Sequence, residues 1–184
     1  MTPKGGNELL NAEEILKNQL GLEPGQRVAD LGSGGVGMFS IEAAKLVTDT
    51  GQVHAVDILK SVLANIESRA KMENLHNIKT HWTNLERFGA LKINDQTLDV
   101  AMLINTLFQN KDHESILREA TRLLKKDGKL LVVEWIPGRS AIGPNPADKI
   151  DPERIREIAQ SIGLVEVSSF SAGQYHYGII FKRP

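Results

Sequence analysis

The sequence predicts an α/β domain built on a mostly parallel sheet, and three observations carry that prediction. Short β-rich runs alternate with longer stretches of helical period, the pattern left by successive strand–helix–strand units. A glycine-rich turn, Gly32-Ser33-Gly34-Gly35-Val36-Gly37, joins the first run to the helix behind it. The chain also closes on two strand-like runs separated only by a turn, which must pair antiparallel.

Taken in order, a helix over 12–19 stops at Gly21, a residue able to adopt the left-handed cap, and Glu23-Pro24-Gly25 turns the chain. The first strand is 27–31, followed by the glycine turn, a helix over 38–47 and a second strand over 53–57. A helix over 61–73 puts Val62, Ile66 and Ala70 on one face, and strands follow at 78–82 and 98–104. A helix over 113–124 ends on Lys125-Lys126-Asp127-Gly128, cations placed where the helix dipole favours them, and leads into a fifth strand over 129–135. The loop 136–150 is long for a connection without a role. Asp151 caps and Pro152 opens the last helix, which runs to 162. Strands at 165–170 and 177–181 flank the turn Ser171-Ala172-Gly173.

At 184 residues, with no internal repeat, the chain 1–184 is expected to form one domain large enough to bury its own core. Lys and Arg number 22 against 23 Asp and Glu, so the net charge of -1 supplies no long-range pull on DNA or RNA, and no nucleic-acid partner is expected. The absence of cysteine excludes disulfides, thiolate nucleophiles and Cys-ligated metals. Nor do His54, His76, His81 and His113 fall at metal-binding spacings, so no metal is expected. No apolar run is long enough for a signal peptide or a bilayer span, and a cytoplasmic protein without a membrane span is the expectation.

The glycine turn brings backbone N–H groups beside a helix N-terminus and lets a ligand approach the main chain closely. Twenty residues beyond Gly37 stands Asp57, closing the second strand, where a carboxylate can accept both hydroxyl hydrogens of a ribose. Turn and acid together imply an adenosine-type ligand. The literal G-x-G-x-x-G spacing also suits a nicotinamide or flavin dinucleotide. Asp30, two residues ahead of the first glycine, favours a cationic ligand over a pyrophosphate, which points to S-adenosylmethionine.

These residues resemble the class I S-adenosylmethionine-dependent methyltransferases. The likeness rests on Val28-Ala29-Asp30-Leu31-Gly32-Ser33-Gly34, His54-Ala55-Val56-Asp57, Leu98-Asp99-Val100-Ala101-Met102-Leu103, Leu123-Leu124-Lys125-Lys126-Asp127-Gly128-Lys129-Leu130 and the closing hairpin, in that order. Within the superfamily the chain resembles the small-molecule group around the ubiquinone/menaquinone-biosynthesis and arsenite methyltransferases. The missing cysteines argue against arsenite itself. One departure is the glycine spacing, because the family's usual G-x-G-x-G is here drawn out to Gly37.

The resemblance implies a Rossmann-like three-layer α/β/α fold with a seven-stranded sheet of order 3-2-1-4-5-7-6, strand seven antiparallel. It implies that Asp30, Gly32, Ser33, Gly34, Gly35 and Gly37 hold the methionine part, that Asp57 takes the ribose diol and that Ile58 packs on adenine. Asn84 and Leu85 would meet the adenine amino group and ring. Asn105 follows the fourth strand and should sit at the carboxyl edge, where open α/β sheets bind ligands. The methyl acceptor is expected to be a small molecule entering over that same edge, with Glu134, Trp135 and Arg139 nearby. Strand seven runs antiparallel, so Gln174, Tyr175 and His176 should flank the site, with His176 the candidate catalytic base. Two rival functions remain at this level: an NAD-dependent oxidoreductase, and a cofactor-binding but catalytically silent partner subunit.

Overall fold

A computed structural model describes residues 6–184; the first five residues of the N-terminal stretch lie outside the described residues. Seven strands form one sheet: β1 (Arg27–Leu31), β2 (Gln52–Asp57), β3 (Ile78–Trp82), β4 (Leu98–Ile104), β5 (Leu124–Trp135), β6 (Val165–Ala172) and β7 (His176–Lys182). Their order is β3-β2-β1-β4-β5-β7-β6, with β1 to β5 mutually parallel and β7 antiparallel to both β5 and β6. Both the sheet order and the reversed seventh strand are as expected from the sequence.

Four α-helices cover the sheet: α1 (Met38–Val47), α2 (Lys60–Met72), α3 (His113–Leu123) and α4 (Pro152–Ser161). Strand alternation divides the core between the two faces. Val28, Val53, Val100, Met102, Leu131 and Ile180 pack with Phe39 and Ala43 of α1, while Ala29, Leu103, Leu130, Val132 and Ile179 pack with Ile116 and Leu117 of α3 and Ile155 of α4. The central strands are apolar on both faces because both faces are covered.

The first helix departs from the regular form. Over Glu14–Gln19 it is a wide helix, closed by Leu20 N–H donating to the Ile15 carbonyl at 2.9 Å, and Ile15 and Leu16 are buried. A second departure concerns Lys125 and Lys126, which are strand residues and do not end a helix. Thr97 N–H donates to Leu123 O at 2.9 Å and Leu98 pairs with Leu124, so β5 starts at Leu124. Lys125 pairs with Asp99 at 3.0 Å. At the other side of the sheet, buried Glu119 accepts from Gly89 N–H at 2.8 Å and Leu91 N–H at 3.2 Å, while Arg122 bridges Glu119 to Asp95, fastening the connection between β3 and β4. Among the described residues no helix is long and apolar enough to cross a membrane.

Candidate functional site

The glycine turn lies at the carboxyl end of β1, the central switch point of the sheet. It is stapled to β2. Gly32 and Ser33 both donate their amides to Val56 O, at 2.8 and 3.0 Å, and Ser33 Oγ accepts from Val56 N–H at 3.0 Å while donating to Asp30 O at 2.9 Å. Gly32 takes a left-handed φ of 85°, and a Cβ there would meet the Thr106 hydroxyl at 2.6 Å. Gly37, at φ 58°, opens α1 so close to α2 that a Cβ would lie 2.3 Å from Ile66. Gly35 differs from both: nothing lies within 4 Å of where its Cβ would be. The extended spacing of this turn therefore serves helix packing at Gly37 and leaves Gly35 facing open space.

A cavity opens on each side of the turn, and the two share Gly32, Gly34, Gly35 and Gln109. The larger, about 410 Å³, lies over the ends of β2 and β3 against Asp57, Ile58, Asn84 and Leu85. The smaller, about 260 Å³, lies over the ends of β4 and β5 against Asn7, Ser33, Gly37, Asn105, Phe108 and Trp135. The segment 106–110 after β4 walls both.

Asp57 is nearly buried and ties the larger cavity together, accepting from Leu59 N–H at 2.9 Å with one oxygen and from Gly34 N–H at 3.3 Å with the other. Asn84 lines the cavity and also closes an Asx turn, its side-chain oxygen accepting from Glu86 N–H at 2.9 Å. In the smaller cavity Asn105 holds a left-handed φ of 53° and donates its side-chain amide to Asn7 at 2.9 Å. The Asn105 side-chain oxygen and the Trp135 indole N–H are both buried and have no hydrogen-bond partner among the described residues. Buried polar atoms left this way are costly unless a ligand or water meets them.

Of the site residues expected from the sequence, Gly32, Ser33, Gly34, Gly35, Gly37, Asp57, Ile58, Asn84, Leu85 and Asn105 line one cavity or both. Asp30 does not. It lies behind the turn on the α1 face, 1% exposed, with Ser40 Oγ donating to its carboxylate at 2.6 Å. Burial raises its pKa to about 6, the Asp57 charge adds to the rise, and the Ser40 hydrogen bond opposes it.

His176 is also displaced from the expected position. It is 1% exposed and its ring packs at a tilt of 39° under Trp135 with centroids 4.2 Å apart, lining neither cavity. Burial, reinforced by the Lys149 charge, lowers its pKa to about 4, so it is a neutral imidazole at pH 7 with little basicity. Arg139 and Gln174 are exposed and line neither cavity.

A family model of methyltransferase domains matches residues 22–150, from the approach to β1 through the loop after β5. The chain belongs to the class I S-adenosylmethionine-dependent methyltransferases. The ubiquinone/menaquinone biosynthesis C-methyltransferase UbiE of Haemophilus ducreyi is 36% identical over 118 residues, covering 62% of this chain and 43% of that protein. This methyltransferase chain thus spans less than half the length of such curated relatives. Among solved structures, a SAM dependent methyltransferase from Aquifex aeolicus superposes with a TM-score of 0.87 at 22% identity, covering 97% of this chain and 92% of that one. An arsenic(III) S-adenosylmethionine methyltransferase from Chlamydomonas reinhardtii does so with a TM-score of 0.71 at 20% identity, covering 89% and 64%. Both share the fold.

The two cavities also use residues that the sequence reading did not single out: Asn7, Leu59, Val62, Thr106, Phe108, Gln109 and Asn110. For the run from Thr106 to Asn110 a signal existed, since it directly follows a strand whose end faces the site. The N-terminal segment is likewise expected at that edge, but nothing in the sequence singles out Asn7, because its approach to Asn105 depends on how the segment folds back across the sheet.

Proposed function

We propose that this chain, acting as one domain, transfers a methyl group from S-adenosylmethionine to a small-molecule acceptor. The observation that carries this reading is the pair of cavities meeting over the Gly32–Gly35 turn, one presenting the Asp57 carboxylate and the other an unpartnered buried Asn105 oxygen. The two chambers match the two unlike ends of a nucleoside linked to an amino acid. In this assignment Asp57 accepts the ribose hydroxyls, Ile58 covers adenine, and Asn84 and the Leu85 N–H meet its edge. The Asn105 oxygen accepts from the ammonium group, beside the backbone of Gly32, Ser33 and Gly34. Gly35 leaves the passage between the chambers open, and Gly37 allows α1 to start there.

Asp30 contributes its charge from behind the turn and makes no contact with the ligand. The cofactor, when bound, supplies a methyl on a sulfonium whose thioether is the leaving group. The chain's own part is to hold an acceptor in line with that methyl and to exclude water, which needs no dedicated base. Trp135, Phe108, Val36 and Ile104 give the smaller cavity apolar walls suited to that task. His176 acts beneath them as support for Trp135. A small-molecule acceptor is favoured by the balanced charge of the chain and by the role of the UbiE relatives as ubiquinone/menaquinone biosynthesis C-methyltransferases.

The test is to incubate the protein with methyl-labelled S-adenosylmethionine and a fractionated metabolite extract. Label passing into a small-molecule fraction is the expected result. Tight cofactor binding with no transfer to any fraction would instead mark a silent binding subunit.

A further inference from the structure

Glu134 is fully buried near the carboxyl end of β5, in a row with Leu130 and Val132 that is otherwise apolar. Placing a carboxyl group there is costly, and among the described residues its side-chain hydrogen bonds run to one segment. Its Oε1 accepts from Leu107 N–H at 2.7 Å and from Phe108 N–H at 3.4 Å, whereas Oε2 has no partner among the described residues. Those two amides open the short helical turn Leu107–Gln109, and the first N–H groups of any such turn have no partner within it.

The segment so held is the common wall of the site. Phe108 and Gln109 line the smaller cavity, and Thr106, Gln109 and Asn110 line the larger. Its remaining ties are mostly internal: Gln109 donates to Asn105 O at 2.8 Å and Asn110 to Thr106 O. Thr106 Oγ1 anchors its start to Leu31 O at 2.9 Å. Glu134 is thus the side chain from a neighbouring strand that fixes the helical turn itself, and it lines neither cavity.

We propose that Glu134 is a positioning residue, which sets cofactor affinity by fixing the 106–110 wall through an acceptor oxygen at the Leu107 amide. This rests on the methyltransferase reading of the two cavities. What matters is an acceptor oxygen at the right reach; the negative charge is incidental. Glu134→Gln keeps that reach with a neutral oxygen, while Glu134→Asp keeps the charge but withdraws it by one methylene, about 1.5 Å.

The experiment titrates S-adenosylhomocysteine into wild type, E134Q and E134D by calorimetry, and follows amide exchange at Leu107 and Phe108 in all three. E134Q should bind within about threefold of wild type, and E134D should bind roughly tenfold or more weakly, the usual effect of leaving a buried N–H without its acceptor. The Leu107 and Phe108 amides should exchange faster in E134D alone. Equal affinity in all three proteins overturns the proposal, and so does E134Q weakened as much as E134D, since a neutral acceptor oxygen at full reach would then not be enough. If wild type itself does not bind, the cofactor reading fails separately and amide exchange decides: faster exchange confined to E134D supports the positioning role, and equal exchange refutes it.

Discussion

Replacing Asp57 with alanine should weaken S-adenosylhomocysteine binding about a hundredfold while costing the fold only about 1 kcal/mol. The asymmetry follows from what the carboxylate touches. Within the protein it accepts one good amide hydrogen bond, from Leu59 at 2.9 Å, and one long one, from Gly34 at 3.3 Å. Both donors lie at the cavity rim, where water can replace the acceptor at small cost. Ribose hydroxyls would be a different matter, since two charge-assisted hydrogen bonds made in a partly desolvated cleft are among the stronger neutral-to-ion contacts a site can offer. Asp57→Asn keeps one acceptor oxygen and should fall between alanine and wild type. Calorimetry gives the affinities and urea unfolding the stabilities. An alanine variant that binds as tightly as wild type removes Asp57 from the nucleoside site.

The glycine turn yields the second large effect, as a contrast between two residues that look equivalent in the sequence. Gly37→Ala should destabilise the protein by about 3 kcal/mol, because a left-handed residue gains a Cβ and that Cβ intrudes on packed Ile66 at 2.3 Å. Gly35→Leu should leave stability within about 1 kcal/mol of wild type, because its side chain enters open space from a backbone that any residue can adopt. Yet Gly35 borders both cavities. The leucine variant should therefore fold normally and lose cofactor binding by about two orders of magnitude, on the scale of filling a shared passage with a side chain. Unfolding curves measured beside binding isotherms separate the two roles. Undiminished binding by Gly35→Leu would mean that the ligand does not cross the turn.

Much of this was legible in the chain because local chemistry and tertiary position agree. Strands β1 to β4 are bounded by turn residues that the fold uses as such, and Asp57 ends a strand whose carboxyl edge meets the site; in the hairpin the expected turn at Ser171-Ala172-Gly173 lies later, at 173–175, because Ser171 and Ala172 pair with Tyr177 and His176 and extend β6. Asp30 marks where a rule available from sequence was left unused. Alternation along β1 puts Asp30 on the same side as Val28, which packs against α1, so its side chain is directed toward Ser40 and away from the turn's open face. His176 is similar. It pairs with Trp135 across β5 and β7 and is buried beneath the indole, a consequence of register that periodicity does not reveal.

The lysines after α3 misled for another reason. Their charge fits a helix end, but long-range pairing of Leu98 with Leu124 wins and draws them into β5. Glu134 and the 106–110 wall depend on contacts between β5 and the segment after β4, which only the folded sheet brings together.

In the proposed function one ligand straddles the glycine turn, its ribose at Asp57 and its amino-acid end at Asn105. A crystal structure of the complex with S-adenosylhomocysteine tests it most directly. Ribose hydroxyls are expected within hydrogen-bond distance of both Asp57 oxygens, and the ammonium nitrogen on the side-chain oxygen of Asn105. A ligand lying wholly in one cavity, or a nicotinamide dinucleotide binding in its place with its diphosphate on the turn, would contradict it.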